Sequence, residues 1–236
     1  MSSTLYAADE IKVSTYTNYP PYLHHEGSQQ GGLYMGIVDL TLNAINQPYS
    51  VETVPFKRGL YQAATGESIL VGILKTDQRM KTLDFSEPFY QERVSVFFNR
   101  PQIPLIRSVD QLDGLNIGTL LGWSYGAEFD RARAEKRFFA KDGDLESNFY
   151  KLAKGRLDAV IHSELSATYA LKNLGLKGDI FLASEPLEFG DIHIAVKKGT
   201  QKELLERINR KLSEPKHKRA IQVLIETYKK SFAPSH

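Results

Sequence analysis

Strand and helix patterns alternate in two separate series along this chain, and that arrangement restricts its fold more than any other feature. The first series comprises two strand-like and two helical segments, at 11–15, 39–45, 51–56 and 59–64. The second series begins after Arg100 and comprises five segments, at 115–120, 127–136, 145–154, 157–161 and 164–174. Alternation of this kind predicts an α/β architecture in each of two domains.

Two strong strand patterns mark the places where the chain crosses between these domains. The first, Val94–Asn99, is followed by Pro101 and Pro104, and the second covers 192–196. Two amphipathic helices then complete the chain, one opened by a capping-box spacing at 200–203 and one at 218–228. Two crossings predict a discontinuous first domain. We expect 1–98 with 194–236 to form the first domain and 99–193 the second.

Composition excludes several classes of function. Lys and Arg number 30 against 28 Asp and Glu, and they are scattered, which argues against a nucleic-acid partner. Cysteine is absent, so thiolate metal sites and a cysteine nucleophile are excluded. His24 and His25 are adjacent, and adjacent residues seldom bind one ion. With no glycine-rich phosphate loop either, we expect no metal and no cofactor.

The chain start and its apolar runs bear on location. The longest apolar runs, 69–74 and 94–98, are far shorter than the roughly 18 residues of a membrane span. The pair Ala7–Ala8 resembles the remnant of a signal-peptide cleavage region, whereas a plain N-terminus is the alternative. We interpret the chain as the mature form of an exported, periplasmic protein.

The segment Gly122–Gly126 matches the G-x-S-x-G pattern of a hydrolase nucleophile elbow centred on Ser124. Asp191 and then His193 or His217 follow in the order of a catalytic triad. A serine at the start of a helix also offers its hydroxyl and neighbouring N–H groups to an anion, or simply caps the helix. All three readings stay open from the residues alone.

Arg79 lies in a polar turn just after the apolar strand pattern at 69–74. Its guanidinium presents a planar fork of donors that fits a carboxylate, although pairing with Asp77 or Asp84 on the surface is the alternative. Tyr16, Tyr19, Tyr22 and Phe56 follow or end early strands, where rings could line a ligand site or belong to the core.

Five ordered motifs together resemble the periplasmic solute-binding proteins that serve polar amino-acid ABC transporters, over nearly the whole chain. They are Tyr19–Tyr22, Gly36–Leu40, Thr76-x-x-Arg79 with Asp84–Tyr90, Leu115–Gly118 with Gly122–Ser124, and Gly155–Val160. The resemblance implies a type II periplasmic-binding-protein fold, in which two lobes, each a sheet flanked by helices, are joined by two hinge strands. It also implies a monomer that closes on a small ligand and presents it to a membrane permease or a sensor.

The resemblance assigns seven ligand-binding residues. Tyr19 and Phe56 would stack on the ligand, Arg79 would bind its carboxylate, and Ser124 would add a second carboxylate contact. The remaining three positions are Gly72 as a backbone contact, Trp123 and Ser163.

This sequence departs from the family pattern at three positions. Ser163 stands where the family has the aspartate that holds an amino acid's ammonium, and Tyr16 stands where basic-ligand members carry an acid. The hydroxyl-rich stretch before the arginine motif is replaced by Val71–Leu74. Burying an ammonium without a carboxylate partner costs several kcal/mol. We therefore expect weak binding of ordinary amino acids and a preference for a carboxylate with a neutral or aromatic remainder.

The function predicted from these features is a receptor that captures a small carboxylate-bearing solute, amino-acid-like or an organic acid, without catalysis. The alternative is an enzyme of the dehydratase kind on the same scaffold, in which Glu164 would act as a general acid beside Arg79. A serine hydrolase acting through Ser124 is a more distant alternative.

Overall fold

The computed structural model of the protein describes residues 9–16, 19–26, 29–100 and 106–232. The residues that suggested an exported form, 1–8, and the prolines at 101 and 104 lie outside the described residues. The chain divides into two compact units: unit 1 is Met1–Phe89 with Ile192–His236, and unit 2 is Tyr90–Asp191.

The elements follow the chain in this order. Unit 1 begins with β1 (Ile11–Tyr16), β2 (His24–Glu26), β3 (Gln29–Gly31), α1 (Leu33–Ala44), β4 (Tyr49–Val54), α2 (Phe56–Thr65), β5 (Ile69–Leu74) and β6 (Leu83–Phe85). Unit 2 contains β7 (Tyr90–Phe98), β8 (Asn116–Thr119), α3 (Ala127–Ala134), β9 (Phe139–Asp142), α4 (Leu145–Ala153), β10 (Ala159–Ser163), α5 (Glu164–Asn173) and β11 (Phe181–Leu182). The chain returns to unit 1 through β12 (Glu188–Lys197) and ends with α6 (Lys202–Ser213) and α7 (Pro215–Phe232).

The sheet of unit 1 is built around β1, which pairs in parallel with β4 on one side and β5 on the other. The part of β12 in unit 1 pairs antiparallel with β5 and with β6. The strand β5 is almost wholly buried, as its continuous apolar sequence predicts for a strand covered on both faces. Helix α1 packs against α6 and α7.

The sheet of unit 2 has β10 at its centre, antiparallel to β7 and parallel to β8, and β9 continues the sheet beyond β8. The side chains of β7 alternate between two hydrophobic clusters. Val94, Val96 and Phe98 belong to one cluster, and Phe97 belongs to the other with Phe149 of α4. This period of two is what places apolar residues on both faces of the sheet.

The chain passes between the units at the start of β7 rather than at its end. The sequence pattern placed the first boundary at 98/99, whereas the units divide between Phe89 and Tyr90. The reason is pairing: residues 94–98 of β7 form ladders with β10 and β11, which are both in unit 2. The second division, between Asp191 and Ile192, lies inside β12, so this strand contributes to both units.

The starts of α1 and α6 are among the helix starts that differ from the sequence expectation. Helix α1 begins at Leu33, six residues before the predicted segment, and Leu33 and Tyr34 are both fully buried. The capping box predicted at 200–203 was wrong. Gln201 is the N-cap of α6, because the Thr200 hydroxyl instead donates to the Lys197 carbonyl at 2.7 Å. Of the helices in the described residues, none has the length and apolar character that crossing a bilayer requires.

Candidate functional site

In unit 1, three of the predicted site residues come together around Tyr16 at the end of β1. The Tyr16 ring stacks with Tyr19 at a centroid distance of 5.9 Å and meets Phe56 edge-on at 4.9 Å. Its hydroxyl donates to the Gly72 carbonyl at 2.6 Å. Tyr16 and Tyr19 are nearly inaccessible to solvent, whereas Phe56, the first residue of α2, is half-buried. Tyr16 therefore links the predicted stacking rings to the predicted backbone contact.

Gly72 lies at a β-bulge, where β5 departs from regular pairing with β12. The register passes from Ile73 opposite His193 to Val71 opposite Ile194, so Gly72 has no opposite residue. Its φ of +83° is in the left-handed region that favours glycine. A Cβ at this position would lie 2.9 Å from Cδ2 of Tyr34. The rings of Tyr16, Tyr19, Tyr34 and Phe56 form an aromatic cluster. The bulge and this aromatic cluster both require glycine at position 72.

Arg79 begins a 3₁₀ turn just after β5 and is anchored from two directions. Its backbone N–H donates to Oγ1 of Thr76 at 3.3 Å, and its Nη1 donates to the Leu74 carbonyl at 2.7 Å. The guanidinium carbon lies 5.4 Å from the centroid of the Phe56 ring, a cation–π distance. Because the backbone and a ring both hold it, Arg79 is positioned beside the aromatic cluster.

In unit 2, Ser124 precedes α3 and its hydroxyl is bound within the chain. The hydroxyl donates to Oδ2 of Asp130, whose Oδ1 accepts from Nη2 of Arg133 at 2.9 Å. Arg133 Nη2 also donates to the Trp123 carbonyl at 2.8 Å. The sequence resemblance assigned Ser124 a contact with a ligand carboxylate, and in this geometry its hydroxyl proton is directed to the internal carboxylate of Asp130.

The N-terminus of α3 holds another internal carboxylate, that of Glu188 at the start of β12. The Glu188 carboxyl lies near the backbone N–H of Glu128, in the first turn of α3. A Cβ at Gly126 would lie 2.7 Å from the Glu188 carboxyl carbon. Burial, with the nearby charges of Glu128 and Asp130, raises the pKa of Glu188 above its ordinary value, although the Glu128 N–H acts in the opposite direction.

Trp123 contacts His162 of β10, a residue that the sequence analysis did not single out. The two rings are 5.4 Å apart and inclined by 38°. His162 is almost completely buried, and burial lowers its pKa to about 3, so the imidazole is neutral at physiological pH. The only sequence signal was its place beside Ser163 in an apolar strand, because the contact with Trp123 joins residues far apart in the chain.

Ser163 and Glu164 occupy the junction of β10 and α5. Ser163 is the buried N-cap residue of α5, and its side chain makes no capping hydrogen bond. The Glu164 carboxylate accepts from Nε of Arg93 at 2.7 Å and from the Ser95 hydroxyl at 2.6 Å. Both carboxylate oxygens of Glu164 are therefore already bound by side chains of the same chain. Glu164 therefore has a structural partner in place of the acid role suggested from sequence.

The hydrolase triad suggested by the Gly122–Gly126 pattern is not assembled around Ser124. Asp191 accepts from Gln91 at 2.9 Å, and Nδ1 of His193 lies 2.7 Å from the Ser86 carbonyl. His217 is bonded to the Thr41 hydroxyl at 3.0 Å. Each proposed partner thus has another bond, and the serine itself is bonded to Asp130.

Comparison with known proteins identifies the family. The model of the bacterial extracellular solute-binding proteins, family 3, matches residues 11–231. The probable amino-acid-binding protein YxeM of Bacillus subtilis (strain 168) is 21% identical over 212 residues, which cover 88% of this chain and 79% of YxeM.

Two solved structures show the same fold. The first is a histidine kinase sensor domain with similarity to periplasmic binding proteins, with a TM-score of 0.80 and 16% identity over 94% of this chain and 96% of that one. The second is the substrate binding protein of an amino acid ABC transporter, with a TM-score of 0.74 and 22% identity over 94% and 100% of the two chains. The fold is that of type II periplasmic binding proteins. From its sequence match over residues 11–231, this non-enzymatic chain belongs to the bacterial extracellular solute-binding proteins, family 3.

Proposed function

We propose that this protein captures a small carboxylate-bearing solute, amino-acid-like or an organic acid, and that Arg79 binds the carboxylate. The observation that carries this proposal is the placement of Arg79. Its Nη1 is anchored to Leu74 and its guanidinium lies against Phe56, next to the Tyr16–Tyr19 pair. A guanidinium held in this way loses little conformational freedom when it binds an acid, and the half-buried Phe56 ring beside it offers apolar area for the rest of the solute.

The remaining predicted contacts are part of the same proposal. Tyr19 and Phe56 stack on the solute, Gly72 contributes backbone, and Trp123, Ser124 and Ser163 contribute from unit 2. An uncharged Ser163 and an ion-paired Glu164 support a solute whose remainder does not require a carboxylate partner. The amino-acid-binding relative supports a solute of similar size.

The proposed location is the periplasm, and the proposed partner is an ABC-transporter permease or a sensor protein. The family description as extracellular supports export. The similar folds of a transporter's substrate binding protein and of a kinase sensor domain support these two kinds of partner. The protein is proposed to act as a monomer.

A thermal-shift screen with matched compounds tests the solute class. Phenylalanine, phenyllactate and phenylalaninamide share the same ring. Phenyllactate lacks the ammonium group, and phenylalaninamide lacks the carboxylate. A second set of three compounds has an aliphatic side chain in place of the ring. A ligand at 100 times its dissociation constant stabilises the folded protein by about 2.7 kcal/mol. We expect phenylalanine and phenyllactate to raise the melting temperature and phenylalaninamide to leave it unchanged. The increase with phenyllactate should equal or exceed the increase with phenylalanine. Binding of the amide as tightly as the acid would contradict the proposal.

A further inference from the structure

In the turn that joins β8 to α3, the hydrogen-bond donors are directed at carboxylates of the same chain. The Ser124 hydroxyl donates to Asp130, and the Tyr125 N–H also points to Asp130, at 3.4 Å. The Glu188 carboxyl lies against Gly126, where a Cβ would be 2.7 Å from its carboxyl carbon, and near the Glu128 N–H. The first turn of a helix attracts anions because its N–H groups have no partner within the helix and its dipole is positive there. Here an internal carboxylate already occupies that position.

The approach of Glu188 depends on the glycine that precedes α3. Gly126 has a φ of +113°, and a Cβ on it would lie 2.7 Å from both Cγ and Cδ of Glu188 and 2.9 Å from Oε1. Distances below 3.0 Å are too short for nonbonded carbon atoms. Only a glycine at this position lets the Glu188 carboxylate lie against the turn, so the pairing of these two residues is specific.

Charge around the turn disfavours a second anion. Glu128, Asp130 and Glu188 all lie close enough for their charges to interact. Arg133 is a nearby cation, and it already binds Asp130 and the Trp123 carbonyl. A carboxylate arriving at this turn would have to displace Glu188 from its place against Gly126 and then remain beside two further acids.

We infer that Glu188 is a specificity-determining residue: its carboxylate fills the N-terminus of α3 and excludes an acid group of the solute from the Gly122–Gly126 turn. This inference rests on the proposed function, in which Arg79 binds the acid. The carboxylate of the solute is then bound by Arg79 in unit 1, in place of the carboxylate contact that the sequence resemblance assigned to Ser124.

A sulfate titration tests this role without any knowledge of the solute. Amide spectra of ¹⁵N-labelled wild type, Glu188→Ala and Glu188→Gln are recorded against millimolar sodium sulfate at constant ionic strength. We expect saturable shifts confined to 126–129 in both variants, with affinity for sulfate in Glu188→Ala about tenfold or more above wild type. Glu188→Gln should gain less, because its side chain still fills the space. Glu185→Ala, which removes an exposed acid three residues earlier, is the matched control and should resemble wild type.

Two results would overturn the inference: saturable sulfate shifts at 126–129 in the wild type with the affinity of Glu188→Ala, or no gain in either variant. Because no solute is present, these results do not depend on Arg79. Failure of the proposed function would appear separately, as a loss of the acid-over-amide preference in the thermal-shift screen.

Discussion

The hydroxyl of Tyr16 donates a 2.6 Å hydrogen bond to the carbonyl of Gly72, the residue at which β5 bulges away from β12. At this bulge Gly72 has no opposite residue in the register with β12, so the phenol provides a partner from outside that ladder. This one bond joins the end of β1 to β5 beneath the aromatic cluster. It adds to the parallel pairing of β1 with β5 and fixes the Tyr16 ring, which contacts Tyr19 and Phe56.

Removing that hydroxyl tests its contribution to stability. In Tyr16→Phe the Gly72 carbonyl loses its phenol donor in a buried place, and we expect the free energy of unfolding to fall by about 1–3 kcal/mol in urea denaturation. Tyr61→Phe is the matched control, because Tyr61 is 65% exposed, and its change should stay within about 0.5 kcal/mol. Equal effects in the two variants would show that the bond adds nothing to stability.

Gly72→Ala separates steric crowding from backbone strain. Gly199 also has a positive φ, of +77°, but a Cβ there would meet nothing within 4 Å. Gly199→Ala should therefore lower the free energy of unfolding through backbone strain alone, by roughly 1–2 kcal/mol. Gly72→Ala adds the approach to Tyr34 and should cost about 1–3 kcal/mol more in the same denaturation measurement. If both variants lost the same stability, crowding by the aromatic cluster would be disproved.

The buried His162 predicts a defined dependence of stability on pH. Because its folded pKa is about 3 and the ordinary value is about 6.5, the unfolded chain binds a proton in that interval and the folded chain does not. Its contribution to stability is complete above pH 6.5 and is lost as the pH falls toward 3, by up to about 1.4 kcal/mol per pH unit.

The substitution His162→Leu should remove the contribution of His162 to the dependence of stability on pH. Denaturation curves between pH 4 and pH 7 are compared for the two proteins, since the other ionisable groups are shared. We expect the variant's stability to depend less steeply on pH below about 6.5. An unchanged slope would mean that His162 is protonated in the folded protein over this range.

The sequence predicted two local features of the structure, a turn and a strand, and the reason is physical. The Thr76-x-x-Arg79 spacing places both residues in one turn, where Oγ1 of Thr76 accepts from the Arg79 N–H. The apolar residues at 94–98 likewise predicted a strand, and β7 covers them. Both features depend on residues that are close together in the chain.

The contacts that sequence reasoning missed are of two kinds. Trp123 with His162 and Gly126 with Glu188 join residues that lie tens of positions apart, and no local pattern determines which strands bring them together. Ser124 with Asp130 is local, but it was hidden by the G-x-S-x-G pattern, which is compatible with a nucleophile, an anion site or a cap. The hydroxyl's partner distinguishes these readings, and only three-dimensional contacts reveal it.

Ser124 should not react as a nucleophile. Its hydroxyl donates to Asp130, which is itself paired with Arg133, and no histidine in the described residues is bonded to it. Incubation with a fluorophosphonate, followed by intact-mass and peptide analysis, should show no adduct at this position. A stoichiometric adduct that disappears in Ser124→Ala would restore the hydrolase reading.

The most direct test of the account is the dissociation constant of the strongest acid from the thermal-shift screen, measured by calorimetry on wild type, Arg79→Ala and Arg58→Ala. Arg58 lies exposed on α2, two residues after Phe56, and serves as the matched control. Loss of a two-bond charged partner should weaken binding by about 100-fold or more in Arg79→Ala, and Arg58→Ala should stay within about twofold of wild type. An Arg79→Ala protein that binds the acid with the wild-type dissociation constant would contradict the account.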